Sequence, residues 1–267
     1  MSDSGRIGGS WWARFRALPN DNPAKTVAIT LAVALAGSVL VAGSAVLLRP
    51  LQLANKEAER PAHIAEIVQL LPDAGEVQVE ARVVDLATGD YVPSIDPVLY
   101  DQRQAAKDPD QSVEIPGEDD IAGLGRRARF TAVYLVRQAG EMRLVILPVR
   151  GRGFGSMLYG YLGLFDDMNT VAGLTFYEHA ETPGLGALID DQEWKNQWHG
   201  KTIWDGPVLM LGVGTGRIEP GSPEAKYQVD GLTGATWTAQ GVTNLLHYWL
   251  GEHGYGPYLE KLKQRGG

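Results

Sequence analysis

The feature that most constrains this chain is an uncharged apolar run near its N-terminus. From Thr26 to Leu48 every residue is apolar, glycine, serine or threonine, which makes 23 residues without a charge. A helix rises about 1.5 Å per residue, so this run spans about 34 Å, enough to cross the hydrocarbon core of a membrane. Arg49 and Pro50 end the run. The sequence therefore predicts one transmembrane helix over residues 26–48, after a cytoplasmic N-terminal segment over residues 1–25.

The sequence leaves two properties of this run open. A cleaved signal peptide is the alternative to an anchor, because the small residues from Val41 to Ala45 resemble a cleavage site. The run is longer than the apolar part of a typical signal peptide, which favours a retained anchor. The charge bias favours a cytoplasmic N-terminus by a small excess. The flanking basic residues are Arg6, Arg14, Arg16 and Lys25 before the run and Arg49, Lys56 and Arg60 after it.

Composition excludes several classes of function. The chain has 24 basic and 32 acidic residues, a net charge of −8, and it lacks the basic stripe of a nucleic-acid-binding protein. It has no cysteine, which excludes zinc ribbons, iron–sulfur clusters and thiol chemistry within this chain. Its histidines and acids fit neither a metal-ligand spacing nor a nucleophile–histidine–acid constellation. We therefore expect no nucleic-acid partner, no metal site and no catalytic residue.

Beyond the anchor, the sequence predicts a polar juxtamembrane helix over residues 49–72, broken or kinked near Pro61. Residues 73–267 read as one domain in which hairpins of strands are followed by helices. Within it, residues 93–127 are rich in Asp, Pro and Gly and predict an irregular insertion. The predicted strands are 77–86, 131–137, 143–149, 158–165, 171–177 and 207–213. The expected fold class is α+β, with largely antiparallel sheets and packed helices behind one N-terminal transmembrane helix.

The most regular helical pattern lies near the C-terminus and is preceded by a segment suited to a phosphate. The helix is predicted to start just after residues 236–238 and to end at Gly251 and Gly254. The first turn of a helix leaves N–H groups unpaired at the positive end of its dipole, and Gly234 and Ala235 are small. A threonine that merely caps the helix is the alternative. The apolar stripe consists of Val242, Leu245, Leu246, Trp249 and Leu250.

The run from Asp230 to Thr236 resembles the acceptor sequence Asp-x-x-Thr-Gly-Ala-Thr of flavin transferases. These enzymes move FMN from FAD onto the final threonine. The resemblance implies that Thr236 carries FMN covalently, as a phosphoester. It also implies that the transferase reads the other residues that match the pattern, which are Asp230, Thr233, Gly234 and Ala235.

A second segment, Glu-Thr-Pro-Gly-Leu-Gly at residues 181–186, resembles a signature of FMN-carrying subunits of membrane redox pumps. Glycines there would let the backbone approach a flat ring, and Leu185 could pack against its face. A structural Thr-Pro-Gly turn is the alternative. The flavin-binding residues that this resemblance implies are Glu181, Thr182, Gly184, Leu185 and Gly186.

Further matches at residues 100–101, 105–106, 149–160 and 167–170 make the chain similar to the C subunit of the sodium-translocating NADH:quinone oxidoreductase. The similarity covers most of residues 50–250. One departure is that Phe154-Gly155 stands where this family usually has Leu-Trp. The resemblance implies an electron-relay subunit, not catalytic alone, of a complex that oxidises NADH, reduces ubiquinone and exports Na+. It also implies a single-pass protein of the bacterial inner membrane with its C-terminal domain in the periplasm.

The same resemblance implies a set of partners. Electrons would arrive from an iron–sulfur centre and leave to a second covalent FMN on the B subunit. The implied partners are the B, D and E membrane subunits, the NADH-oxidising F subunit, the quinone-associated A subunit and the flavin transferase that loads the FMN.

Three alternatives remain at this point. The G subunit of a ferredoxin:NAD oxidoreductase complex shares both flavin segments, but it is shorter and generally lacks the insertion at residues 93–127. A covalent-flavin reductase with its own small substrate would need a proton donor near the flavin. A membrane-anchored, non-redox binding domain would use the threonine segment as a plain helix cap. A nucleotide loop at Gly212–Gly216 is rejected, because residues 217–220 cannot open the required helix.

Overall fold

The structure is a computed structural model that describes residues 19, 22–71 and 76–264. It divides into two compact units, Met1–Arg60 and Pro61–Gly267. The helices are α1 (Pro23–Val68), α2 (Gln102–Ala105), α3 (Gln192–Asn196), α4 (Thr236–Leu250) and α5 (Gly256–Gln264), with 3₁₀ turns at Gly186–Asp190 and Pro223–Lys226. The strands are β1 (Val77–Asp85), β2 (Ser112–Glu114), β3 (Arg126–Ala128), β4 (Phe130–Gln138), β5 (Glu141–Arg152), β6 (Met157–Phe165), β7 (Val171–Glu178), β8 (Trp204–Asp205), β9 (Val208–Leu209), β10 (Gly212–Val213) and β11 (Gln228–Val229).

Helix α1 begins three residues earlier than the predicted transmembrane helix. The Asn22 side chain accepts a hydrogen bond from the N–H of Ala24 at 3.0 Å, and Pro23 occupies the first helical position, where its missing N–H costs nothing. The stretch Pro23–Leu48 is long and apolar enough to cross a membrane, and no other helix within the described ranges is. Length and composition therefore agree with the predicted span.

The prediction was a break or a kink near Pro61, and the helix is not broken there, because α1 continues to Val68. A proline removes one backbone hydrogen bond from a helix, and a helix of this length retains many others on either side. The second compact unit begins at Pro61 and not at the predicted boundary before residue 73. The last turns of α1 therefore belong to the folded domain.

The domain is organised around a five-stranded antiparallel sheet with the order β1-β4-β5-β6-β7. Strands β4 and β5 are joined by Ala139 and Gly140, whose φ angles of 51° and 87° are those of a tight hairpin turn. Between β6 and β7, the Asp167 carboxylate accepts hydrogen bonds from the N–H groups of Asn169 and Thr170 at 2.8 Å. Both hairpins were predicted from the sequence, and the α+β class is confirmed.

The two faces of the sheet pack against different elements of the fold. On one face, alternate residues of the strands form the main core with α4 and α5, including Leu147, Leu245 and Leu259. The other face is covered by the end of α1 and the turn after it. The residues that bury this second face are Ile64, Ile67, Val68 and Leu71 from the helical side and Val136, Leu144, Ile146, Tyr161 and Ala172 from the sheet.

Three parts of the domain differ from the expectations. The insertion at residues 93–127 contains one turn of helix, α2, and the short strand β2, which pairs with β3. The apolar run 207–213 is not one strand, because β9 pairs with β8 whereas β10 pairs in parallel with β11. Helix α5 was not predicted, and it fills the end of the main core with Tyr258, Leu259 and Leu262.

Candidate functional site

The segment Asp230–Thr236 connects β11 to α4 and forms the N-terminal end of that helix. Gly234 has a φ of 73°, a left-handed conformation that favours glycine, and it turns the chain into the helix. Thr236 is the first residue of α4, so the predicted start after residue 238 is three residues too late. The residue at the N-cap position is Ala235, and no side chain among the described residues caps the helix. The alternative in which a threonine caps this helix therefore does not describe the structure.

Thr236 presents its hydroxyl to the outside. The side chain is exposed, and its hydroxyl forms no hydrogen bond with any residue that the structure describes. The first N–H groups of a helix have no partner within the helix, and no side chain in the described part of the chain accepts from them here. An exposed hydroxyl therefore lies beside unpaired N–H donors at the positive end of the α4 dipole, an environment that stabilises a phosphate.

Thr236 also lines a cleft with a volume of about 650 Å³. The other residues lining it are Glu193, Thr215, Gly216, Arg217, Asp230, Gly231, Leu232, Thr233 and Gly234. Arg217 is the one basic residue in this lining, and the glycine-rich segment before it brings Thr215 into the cleft. A larger groove of about 840 Å³ lies between Trp204 and Lys263, but none of the predicted site residues lines it.

Asp230 forms hydrogen bonds with other residues through both its carboxylate and its backbone. Its Oδ1 accepts from the N–H of Ile218 at 2.7 Å, and its Oδ2 accepts from Nε2 of Gln197 at 3.3 Å. Its own N–H donates to Oε1 of Gln197 at 2.8 Å, and its carbonyl oxygen accepts from the Trp194 indole. Asp230 thus fixes the position of the cleft wall that contains Arg217.

Glu181, the first residue of the second segment, is buried and accepts hydrogen bonds from two other parts of the chain. The turn between β5 and β6 donates the N–H groups of Phe154, Gly155 and Ser156 at 3.2–3.3 Å and the Ser156 hydroxyl at 3.0 Å. Helix α4 donates the Thr238 hydroxyl at 2.7 Å. One carboxylate therefore joins the Glu181 segment, the β5–β6 turn and the start of α4.

The charge of Glu181 is stabilised by these donors. Burial alone would raise the pKa of this carboxyl group, because it penalises the charged form. The hydrogen bonds from Thr238, Ser156 and the backbone of the turn act in the opposite direction and outweigh burial, so the pKa of Glu181 lies below its ordinary value of 4.5. Glu181 is therefore an ionised acceptor at neutral pH.

The residues after Glu181 divide into exposed and buried positions. Thr182, Gly184 and Leu185 are exposed, and Gly184 has a φ of 74°, which favours glycine. Gly186 is buried, and a Cβ atom there would lie 2.6 Å from the Thr238 hydroxyl oxygen and 2.7 Å from Glu181 Oε2. The small size of Gly186 is thus required by packing against Glu181 and α4.

The two predicted segments meet at the N-terminal end of α4. A Cβ atom at Gly234 would lie 3.0 Å from Cδ2 of Leu185, so the two segments are in contact. Glu181 reaches the same helix through Thr238. The structure therefore brings the predicted residues from both segments to one site, with Thr182, Leu185, Thr233 and Thr236 exposed around it.

The sequence did not predict the contacts that several residues make in building this site. Ser156 and Thr238 hold the Glu181 carboxylate, and Gln197 holds Asp230. The sequence signal for Ser156 was the run Gly153-Phe154-Gly155-Ser156, whose glycines indicate a tight turn after a strand. The pairing of Gln197 with Asp230 had no signal, because it joins residues far apart in the chain.

Comparison with known proteins identifies the family of this chain. Residues 153–251 match the family model of the FMN-binding domain. The C subunit of the Na(+)-translocating NADH-quinone reductase from Pseudomonas aeruginosa is 43% identical over 254 residues, which cover 91% of this chain and 97% of the relative. The protein of the same name from Neisseria meningitidis serogroup A is 42% identical, with 92% and 96% covered. The chain belongs to the C-subunit family of Na(+)-translocating NADH-quinone reductases.

Solved structures of the C-subunit family agree with the fold. The crystal structure of Shewanella oneidensis NqrC matches with a TM-score of 0.71 and 29% identity, over 79% of this chain and 99% of that one. The C subunit from Parabacteroides distasonis matches with a TM-score of 0.57 and 26% identity, over 79% and 96%. The FMN-binding match starts at Gly153 in the β5–β6 turn and ends at Gly251 after α4, so it contains both segments and the turn that Glu181 joins to them.

Proposed function

We propose that this chain is an electron-relay subunit of a Na+-pumping NADH:ubiquinone oxidoreductase complex and that it carries FMN as a phosphoester on Thr236. The main support for the proposal is the environment of the Thr236 hydroxyl. Its hydroxyl is exposed at the unpaired N-terminal end of α4, opens on a cleft, and forms no hydrogen bond with a described residue. A hydroxyl with a structural role in the helix would be expected to bond to the backbone nearby.

The attachment reaction follows from the chemistry of a transferred phosphoryl group. The Thr236 oxygen attacks the phosphorus that is bonded to the riboflavin part of FAD. An oxygen–phosphorus bond to Thr236 forms, and the phosphoanhydride bond between the FMN and AMP halves of FAD breaks. AMP leaves with the bridging oxygen. The hydroxyl proton passes to a base on the transferase. FMN remains esterified to the protein, and no oxidant or reductant is consumed.

An ester suits the exposed position of this site. The residues that surround Thr236 form an open cleft, which buries little of a ligand and would hold a free cofactor weakly. A covalent bond keeps the flavin in place regardless of that affinity, and an open cleft leaves the flavin accessible to redox partners. The bound FMN supplies the electron transfer. The residues of this chain orient it: Glu181 holds the two segments together, and Leu185 lies beside Gly234 at the site.

The proposal also includes the location of the chain and its partner subunits. We place the folded domain on the periplasmic face of a bacterial inner membrane, anchored by the span Pro23–Leu48. Its partners are the A, B, D, E and F subunits of the complex, with electrons received from an iron–sulfur centre and passed to the FMN of the B subunit. N-terminal sequencing of the membrane fraction tests the anchor, because a mature chain that begins near residue 45 would show a cleaved signal peptide.

The test of the ester is an intact mass measurement after co-expression with a flavin transferase. The wild-type chain should gain the mass of one FMN less one water, and the flavin should remain after denaturing electrophoresis. Thr236→Ala should remain folded and gain nothing. Thr215→Ala is the matched control, because Thr215 is exposed and lines the same cleft outside the acceptor segment. Flavin retained on the Thr236→Ala protein, or no mass gain on the wild type, would overturn the proposal.

A further inference from the structure

The strands β4 and β5 separate from each other at one end of the sheet. The last backbone pair between them is Tyr134 with Ile146, although β4 begins at Phe130 and β5 continues to Arg152. A small cavity of about 20 Å³ is lined by the parts of the two strands that no longer pair with each other. A cavity needs about 10–15 Å³ to hold one water, so this one has room for a single guest of about that size.

The cavity is surrounded by side chains that can donate hydrogen bonds. The polar residues in its lining are Gln102, Arg103, Thr131, Arg150, Tyr159 and Tyr177. Two backbone acceptors of β5 are already used, since the Pro148 carbonyl oxygen accepts from the Tyr255 hydroxyl at 2.6 Å and the Arg150 carbonyl oxygen accepts from the Trp249 indole at 2.7 Å. A guanidinium group has five N–H donors and no acceptor. The lining therefore suits a guest that accepts hydrogen bonds.

The charges beside the cavity do not balance. Arg103 pairs with Glu178 at 2.8 Å, but Arg150 forms no ion pair with any carboxylate that the structure describes. Its Nη2 donates instead to the carbonyl oxygen of Arg126 at 2.7 Å. Burial lowers the pKa of Arg150, and the charge of Arg103 also acts to lower it, while the interaction with Tyr159 opposes these effects without outweighing them. A partly buried guanidinium without a counter-ion is unfavourable.

A second guanidinium without a carboxylate partner lies next to the cavity. Arg127 is 8% exposed, and its Nη1 donates to the carbonyl oxygen of Ala128, which lines the cavity, at 3.3 Å. No carboxylate in the described ranges forms an ion pair with Arg127. The nearby Asp120 carboxylate accepts from the N–H groups of Leu124 and Gly125 at 2.7 Å. This part of the fold therefore has an excess of positive charge.

We propose that the cavity between β4 and β5 binds one chloride ion, which acts as the counter-ion of Arg150. A monatomic anion fits the volume, whereas phosphate and sulfate, with four oxygens each, are too large for it. The site is separate from Thr236, because Trp249, the α4 residue in the cavity lining, lies about 20 Å further along the helix axis. The inference goes beyond the proposed function, since it involves neither the flavin nor a partner subunit.

The first experiment is thermal unfolding of the full-length chain, without bound flavin and in detergent, in sodium chloride and in sodium gluconate at equal sodium concentrations. A ligand that binds only the folded state stabilises it in proportion to the logarithm of its concentration once the site is saturated. The Tm of the wild type should therefore rise by a few degrees for each tenfold increase in chloride and stay lower in gluconate. Equal Tm values in the two salts would overturn the proposal, because the guest would then be water.

Two variants locate the effect. Arg150→Gln should lose most of the difference between chloride and gluconate, whatever its Tm in gluconate. Arg143→Gln is the matched control and should keep the full difference, since Arg143 lies on the same strand but outside the cavity lining. A difference that both variants keep would overturn the proposal, because the binding would be that of an adventitious ion only.

Bromide gives a direct check of the position. Crystals grown in sodium bromide should show an anomalous scattering peak inside the cavity for the wild type and for Arg143→Gln, and no peak there for Arg150→Gln. A wild-type cavity without a bromide peak, or a peak of equal height in Arg150→Gln, would contradict the assigned counter-ion. None of these outcomes affects the ester on Thr236, which the intact mass tests separately.

Discussion

The two segments that form the site each begin with a carboxylate and contain exposed residues, but the two carboxylates differ in what they join. Glu181 is buried and joins a distant turn and a helix through five hydrogen bonds. Asp230 is half-buried and joins neighbouring loops of the cleft wall through Ile218 and Gln197. The exposed residues of both segments depend on these acids for their position. We therefore expect Glu181 to control the stability of the whole site and Asp230 to control mainly the cleft.

The largest effect should come from removing the Glu181 side chain. Glu181→Ala leaves three part-buried backbone N–H groups and the buried Thr238 hydroxyl without this acceptor, and hydrogen bonds to charged groups contribute about 1.5–3 kcal/mol each to stability. We expect a loss of about 3 kcal/mol or more in the free energy of unfolding, measured by urea denaturation of the full-length protein in detergent. Glu141→Ala, at an exposed position, should change it by about 0.5 kcal/mol or less. Equal effects of the two changes would contradict the stabilising role of the Glu181 hydrogen bonds.

The same carboxylate predicts a pH dependence. The pKa of Glu181 is lower in the folded domain than its ordinary value of 4.5, so its ionised form stabilises the fold. This contribution is present above the ordinary value and is lost as the pH falls through the lowered pKa. In Glu181→Gln it is absent at every pH. The difference in unfolding free energy between wild type and Glu181→Gln should therefore be largest near neutral pH and shrink below about pH 4. A difference that stays constant would show that the charge is not involved.

The sequence predicted the segments but not the contacts that unite them. Strands with period-2 apolar patterns, the hairpin turn at Ala139–Gly140 and the apolar stripe of α4 are local signals, and each is present in the structure. The segment that ends at Thr236 and the segment that begins at Glu181 were likewise predicted from short runs of sequence. The hydrogen bond between Glu181 and Thr238 joins residues 57 positions apart, and no local pattern encodes it. It depends on the way β5 and β6 place their turn against α4.

The errors in the prediction have a similar origin. Helix α5 has an apolar face of only Tyr258, Leu259 and Leu262, too short a pattern to be recognised beside the charged residues around it. The run 207–213 reads as a single strand because it is apolar, but its two halves pair with different partners. Proline disfavours a helix, but α1 continues through Pro61, with helical residues on both sides of it. In the first two cases tertiary packing or strand pairing decided what local preference left open.

An intermediate effect should come from filling the space beneath Glu181. Gly186→Ala places a methyl group 2.6 Å from the Thr238 hydroxyl and 2.7 Å from Glu181 Oε2, and overpacking of this kind costs about 1–3 kcal/mol. Gly155→Ala is the matched control in the turn on the other side of the carboxylate, where a methyl group has only one contact, at 3.6 Å. Thermal denaturation should show a clear decrease in Tm for Gly186→Ala and almost none for Gly155→Ala. A similar decrease for both would mean that the space around Glu181 is not limiting.

The smallest effect on stability should come from Asp230→Asn, and this variant distinguishes recognition from positioning. Asparagine keeps an oxygen that can accept from Ile218 and loses only the hydrogen bond from Gln197 Nε2, which is 3.3 Å long, so the cost should be about 1 kcal/mol or less. If a transferase reads the carboxylate itself, FMN loading should fall much more than stability. Gln197→Leu removes the same contact from the opposite side, together with the hydrogen bond that the Asp230 N–H donates to Gln197 Oε1, and leaves the carboxylate in place. Near-normal loading of Gln197→Leu beside poor loading of Asp230→Asn would assign the acid to recognition. Equally poor loading of both would instead mean that Asp230, like Glu181, acts by holding its neighbours in position.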